Sequence, residues 1–144
     1  MTHVDATLDP VRLMNLWATP PVDDVRALEE IRSLYSDPVT INGAAFTAFD
    51  LLVRIRAMQA AFRDLRHELI QRVDAPGTLV IAFRLRGVHI GPLTTPLGVV
   101  PATGRNFETR VIDILTLTGN RISAVMMVAD ELAQLRALRV VTLI

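Results

Sequence analysis

Asp113 is the residue whose setting most invites chemistry. It stands in a run where Phe107, Thr109, Val111, Asp113, Leu115 and Leu117 alternate with Glu108, Arg110, Ile112, Ile114 and Thr116. A period of two marks a β-strand and sends alternate residues to one face. Asp113 is therefore expected to point inward with Phe107, Val111 and Leu115. A buried carboxylate is costly unless it is hydrogen-bonded, protonated or paired. Burial raises its pKa and suits it to general acid/base work near neutrality. The same position would also suit a structural carboxylate satisfied by a neighbouring hydroxyl or N–H.

His89 has the parity of Phe83 and Leu85 and is the second catalytic candidate, near a strand end. A satisfied core or rim histidine is the plainer role for such a residue. His67 lies on the Leu65/Leu69 face and reads as structural, while His3 falls in a tail. Asp130 precedes Glu131-Leu132-Ala133 and reads first as a helix N-cap, second as a possible site residue. Trp17 and Tyr35, the only Trp and Tyr, fall on apolar helix faces. They are expected in the core or lining a pocket, where each offers a donor. No histidine pair has metal-ligand spacing and there is no cysteine, so no metal is expected. Phosphate loops and nucleophile elbows are absent.

The elements that must position these residues follow from period and punctuation. Asp9-Pro10 opens a short helix, and Pro20-Pro21 ends it. A second helix carries Val25, Leu28, Ile31, Leu34 and Tyr35. Val39 to Ile41 reads as a short strand closed by the turn pair Asn42-Gly43. Thr47 opens the longest helix, with Asp50 placed for a capping box and Leu51, Ile55, Met58 and Phe62 as the inner stripe. From Leu65 the period becomes two. Four long antiparallel strands are expected, interrupted by the turn Ala75-Pro76-Gly77, a Pro/Gly/Thr-rich loop over 91–104 and the hairpin pair Gly119-Asn120. Helices first and strands after is an α+β order, with a curved sheet wrapped around the third helix.

Composition bounds the rest. The 144 residues fit a single domain spanning 1–144, and 51% hydrophobic residues supply a real core. Lys+Arg and Asp+Glu both number 15, which argues against capture of nucleic acid or an anionic membrane. The start, Met1-Thr2-His3-Val4-Asp5, has no signal-peptide pattern, and no apolar run is long enough to span a bilayer. A cytoplasmic protein is expected. The strip with Val80, Ala82, Arg84 and Arg86 lies on the outer face and suits a sheet-to-sheet homodimer contact as well as solvent.

Residues 61–135 resemble the SnoaL-like polyketide (ester) cyclase family. The resemblance rests on Phe62-Arg63-Asp64-Leu65, the run Phe83-Arg84-Leu85-Arg86-Gly87-Val88-His89-Ile90-Gly91, Pro101-Ala102-Thr103-Gly104-Arg105, Asp113-Ile114, and Gly119-Asn120-Arg121-Ile122 leading to Asp130-Glu131-Leu132. It implies the ketosteroid-isomerase-like cone, usually dimeric, and cofactor-free acid/base chemistry on a carbonyl compound. In the cyclases that chemistry is an aldol closure driven by an aspartate in the last strand. Here the resemblance places Met127 at that position and Met126 where the family often has Trp. The Asp113 position is a pocket histidine in those cyclases and often Asp in the wider family. A two-residue turn sets Asp113 opposite Met126, and a bulge sets it opposite Met127; both, with Phe62, are expected to line the pocket.

Three functions fit. The first is a cyclase or isomerase acting on a small hydrophobic carbonyl compound, with Asp113 as acid/base and His89 as its partner. The second is a non-catalytic ligand-binding or assembly module. The third is an epoxide-hydrolase-like enzyme, which needs an arginine beside Asp113; Arg84 and Arg110 have the wrong parity for it.

Overall fold

The computed structural model of the chain describes residues 8–144, so His3 and the N-terminal start lie outside the described residues. Helix α1 (Pro10–Ala18) begins where Asp9 Oδ1 accepts the Val11 N–H at 2.9 Å, and Pro10 fills a position that needs no donor. Helix α2 (Asp24–Leu34) is capped in the same way by Asp23. Helix α3 (Ala48–Ala61) carries the expected capping box: Asp50 N–H donates to Thr47 Oγ1 at 3.2 Å, and Thr47 N–H donates to Asp50 Oδ2 at 2.8 Å. Its Leu51 and Ile55 are fully buried. Each such side chain contributes about 1.5–3 kcal/mol by leaving water.

The strands are β1 (Tyr35–Ile41), β2 (Ala44–Phe46), β3 (Phe62–Ala75), β4 (Thr78–His89), β5 (Leu93–Thr95), β6 (Gly98–Val100), β7 (Asn106–Thr118) and β8 (Arg121–Ala129). A short helix α4 (Glu131–Ala137) follows. Six strands form one sheet in the order β2-β1-β8-β7-β4-β3, and β5-β6 is a separate small hairpin. Within the large sheet β1 runs parallel to β8 and the other pairs are antiparallel. Irregularities in β3 after Arg63 and after Leu69, and between β7 and β8 at Thr116/Leu117, bend and twist the sheet. The result is the cone expected from the sequence, with α3 packed in its concavity. One continuous core runs from Leu8 to Leu138 and includes Leu51, Ile55, Ile81, Leu115 and Ile122.

The structure corrects three local expectations. Tyr35 is the first residue of β1, not the last of α2: its N–H still donates to the Ile31 carbonyl as the helix C-cap, but its backbone is already extended. The short strand therefore begins four residues earlier than Val39 and pairs with a further strand, β2. The Pro/Gly/Thr-rich segment is not all loop: it folds into β5-β6 with Leu93 and Val100 buried. Gly91 permits the chain to enter that hairpin, since a Cβ there would lie 2.1 Å from the Ala60 carbonyl oxygen.

Candidate active site

The register of the sheet places the site. Ile81 on β4 pairs with Asp113 on β7, and Asp113 pairs with Met127 on β8. Paired residues share a face. Ile81 is fully buried, so this row lies on the concave side. Asp113 is half-buried there. Its Oδ1 is sealed from solvent and has no hydrogen-bond partner among the described residues. Burial alone lifts its pKa from 3.8 to about 7. No cation among the described residues offsets that cost, and such an environment suits general acid/base work.

Arginines are held elsewhere. Arg84 and Arg86 meet Glu68 and Glu108 on the convex face at 3.2–3.5 Å. Arg110 pairs with Asp130 at 3.2 Å. Arg72 pairs with Ile81, two strands from Asp113, but Asp74 holds its guanidinium at 2.8 and 3.0 Å. Among the described residues no arginine bonds Asp113, so the Asp-Arg-Asp arrangement of an epoxide hydrolase is not formed.

Tyr35 is the polar neighbour that the structure supplies. Its ring is buried, and its hydroxyl oxygen accepts the Trp17 Nε1–H at 3.0 Å. Burial raises the phenol pKa, the Trp17 donor pulls it down, and the charge of nearby Asp113 raises it again. The phenol stays protonated at neutral pH, with its own O–H left to donate. Trp17 is fixed in turn, since its carbonyl accepts from Gln59 Nε2 at 2.8 Å. Trp17 and Tyr35 are thus tied to each other and to α3, and Tyr35 comes from a strand rather than a helix.

The structure separates His89 from Asp113. His89 ends β4, where it pairs with Phe62, eight residues beyond Ile81. That is ~26 Å along the strand. His89 is fully buried, with Nδ1 accepting the Thr103 N–H at 3.2 Å and lying 2.9 Å from Thr103 Oγ1. It ties the 101–105 segment to the sheet. The expected Asp113–His89 partnership is corrected on that ground. Phe62 belongs with His89: it is 3% exposed and stacks on Phe107 with centroids 4.2 Å apart, so it is core rather than open lining. Asp130 caps α4, accepting the Ala133 N–H at 3.2 Å.

The two methionines take opposite sides. The irregularity at Thr116/Leu117 brings Met127, not Met126, opposite Asp113. Met126 pairs with Ile114 on the convex face and is 59% exposed, which corrects its expected place in the pocket. Asn42 fixes this register. Its Oδ1 accepts the Met127 N–H at 2.9 Å and its Nδ2 donates to the Met127 carbonyl at 3.3 Å, imitating a strand rung. The sequence marked Asn42 only as a turn residue.

His67 is the other residue whose role the sequence understated. It pairs with Leu85, and its ring centroid lies 5.3 Å from that of Phe83, so it faces the concavity. Its Nδ1 is sealed without a partner among the described residues, and burial lowers its pKa to about 4. Concave residues that keep exposure include His67, Leu69, Arg72, Asp113, Met127 and Ala129. Among the described residues no cluster of His, Asp or Glu could hold a metal ion. None of their helices is long and apolar enough to cross a membrane.

Comparison with known proteins agrees with this fold. The SnoaL-like polyketide cyclase family matches residues 15–138. No curated protein matches the chain in sequence. Among solved structures it is similar to TsrD from Streptomyces laurentii, with 19% identity, 92% of each chain covered and a TM-score of 0.78. IdmH from Streptomyces antibioticus has 20% identity over 90% of this chain and 95% of its own, with a TM-score of 0.70. A SnoaL-like polyketide cyclase from Agrobacterium tumefaciens has 20% identity, 88% and 91% coverage, and a TM-score of 0.69. At these identities the structural likeness establishes the fold.

Proposed function

The chain belongs to the SnoaL-like polyketide cyclase family, and we propose that it performs cofactor-free acid/base chemistry on a small hydrophobic carbonyl compound, with Asp113 transferring the proton. One observation carries this reading: a carboxyl with no cation beside it among the described residues, sealed at Oδ1 and held near pKa 7 by burial. At neutral pH both protonation states are populated, so the group can take a proton and return it. Oδ2 is the oxygen left for the substrate.

The step follows from these groups. Ionised Asp113 removes a proton from carbon next to a carbonyl, and the C–H electron pair becomes an enolate. The Tyr35 O–H, positioned by Trp17, donates to the enolate oxygen. In a cyclisation the enolate carbon attacks a second carbonyl of the same molecule, and the new alkoxide recovers the proton from Asp113. In an isomerisation the proton returns to a different carbon. Either way the enzyme ends unchanged.

Deuterium exchange into a 1,3-diketone tests this. Asp113→Asn should lower the enzyme-dependent rate by ~10²–10⁴-fold while the melting transition survives. An unchanged rate in a folded variant would sink the proposal. Met127, opposite Asp113 where the family resemblance places an acid, favours a second reading, a binding module of the same fold. Ligand binding without exchange in the wild-type protein would select that reading.

The convex face supports a second copy of this chain as partner. Ile112, Ile114, Met126 and Val128 form an apolar strip with exposures of 39–64%. Glu68, Arg84, Arg86 and Glu108 border it with both signs of charge. Two copies related by a twofold axis can bury the strip and set Arg against Glu.

A further inference from the structure

β3 is an end strand of the large sheet, so only one of its edges is paired. It is 14 residues long, and residues 68–77 are all exposed. Proteins blunt such edges with bulges and charges, because an open edge is a template for another strand. The irregularities of β3 lie at Arg63/Arg66 and Leu69/Gln71, and beyond them the ladder from Gln71 to Ala75 is regular. Among the described residues the outer side of that stretch meets no strand and no other backbone partner.

The turn decides which groups face outward. Ala75 pairs with Thr78 across the two-residue turn Pro76-Gly77. A turn of that length closes on a hydrogen-bonded pair, and bonded and non-bonded pairs then alternate along the ladder. Ala75, Val73 and Gln71 therefore direct their backbone groups to β4. The N–H and C=O of Arg72 and Asp74 point out from the sheet.

The side chains then select a register. A second β3 added antiparallel to the same sheet must pair residues of like parity, so that faces match. A twofold axis within the regular stretch can pass through Arg72, Val73 or Asp74. The first choice sets Arg72 against its own copy and the third sets Asp74 against its own copy, and like charges directly opposite are destabilising. With the axis at Val73, Arg72 lies opposite Asp74 of the partner subunit, and the reverse pair forms on the other side. Those are the residues whose backbone groups are outward, so both pairs can exchange N–H···O bonds. Arg72 already holds Asp74 at 2.8 and 3.0 Å, and a carboxylate has lone pairs for a second guanidinium. Val73, 48% exposed, meets its own copy on the axis, on the convex side where Val80 and Ile114 continue the apolar surface.

We propose that the outer edge of β3 pairs with the same edge of a second copy of this chain, antiparallel and centred on Val73, so that two sheets become one. The paired stretch is short, and the contact is accordingly concentration-dependent. It is separate from the convex-face contact, and it holds or falls independently of the chemistry at Asp113.

The chain has no cysteine, so introduced thiols report the register. Ile112→Glu serves as the background throughout, to remove the convex-face contact. Val73→Cys sets two thiols on the axis in a non-hydrogen-bonded pair, with Cα atoms about 4.5 Å apart and within disulfide range. It should oxidise to a covalent dimer. Ala75→Cys is offset from its copy by four residues, roughly 13 Å, and should oxidise at least ~10-fold more slowly. Charge exchange tests the same register by sedimentation. Arg72→Asp and Asp74→Arg should each self-associate ~10-fold more weakly than the background. An equimolar mixture of the two should recover association, because each edge then meets its opposite charge. Equal oxidation of the two cysteine variants, a background protein that stays monomeric at every concentration, or a mixture no stronger than its components would overturn the proposal.

Discussion

Glu108 and Asp113 stand five residues apart on β7, an odd spacing that puts them on opposite faces of one sheet. Glu108 lies on the convex face, half exposed, with Arg84 and Arg86 each 3.5 Å away. Asp113 lies on the concave face with an unpartnered oxygen and a pKa of about 7. The same strand thus carries one carboxylate built for solubility and contact and another held in readiness for a proton. What separates them is where the cations are. The arginines flanking β7 occupy convex positions or, like Arg72, are held by another acid, so among the described residues the concave carboxylate has no cation to ionise against.

The largest expected effect of breaking this contrast is on stability against pH. The folded state holds the Asp113 proton up to about pH 7, whereas an ordinary carboxyl releases it near 3.8. Below 3.8 both states are protonated; as pH rises to 7 only the unfolded chain ionises, so stability falls across that window. The loss is at most about 4 kcal/mol above pH 7. His67 acts in the opposite sense. Its folded pKa of about 4 lies below the ordinary 6.5, so its contribution is present above 6.5 and is lost as pH falls to 4. In the wild type these slopes oppose each other between pH 4 and 6.5. Urea denaturation should show stability rising with pH in Asp113→Asn over that range, and falling with pH in His67→Phe.

An intermediate effect is expected on the convex side. Ile112→Glu places a charge in the centre of the exposed apolar strip. Self-association, followed by sedimentation, should weaken at least ~30-fold, the scale of a central interface residue. A monomeric wild type would remove the proposed partner. The smallest effect belongs to Glu108→Gln. Exposed ion pairs are worth ~0–1 kcal/mol and are screened by salt. Its stability change should stay within that range and shrink at high ionic strength. A loss as large as that from a buried group would mean the two faces are not so different.

Much of this contrast was legible in the sequence. Strict alternation along 107–117 gave Asp113 its inward direction, and the same parity sent Arg84 and Arg110 outward. The capping signals at Asp9, Thr47 and Asp130 fixed three helix starts, because a cap is a local hydrogen bond. Other features depend on long-range geometry. The Met126/Met127 choice turned on one irregularity at Thr116/Leu117. Tyr35 continues the spacing of Ile31 and Leu34, so helical periodicity absorbed a residue that the fold uses as strand. The distance between His89 and Asp113 follows from β4 and β7 running in opposite directions, and parity carries no distance. His67 was visible on the inner face, but its lack of a partner exists only in three dimensions.

The account depends on Asp113 being a carboxyl that burial holds in the neutral range. Carbon-13 labelling of the aspartates, with the Asp113 resonance assigned by its loss in Asp113→Asn, allows its titration to be followed in the folded protein. The account predicts a midpoint near pH 7 for that resonance. A midpoint near 4, the ordinary aspartate value, would contradict it.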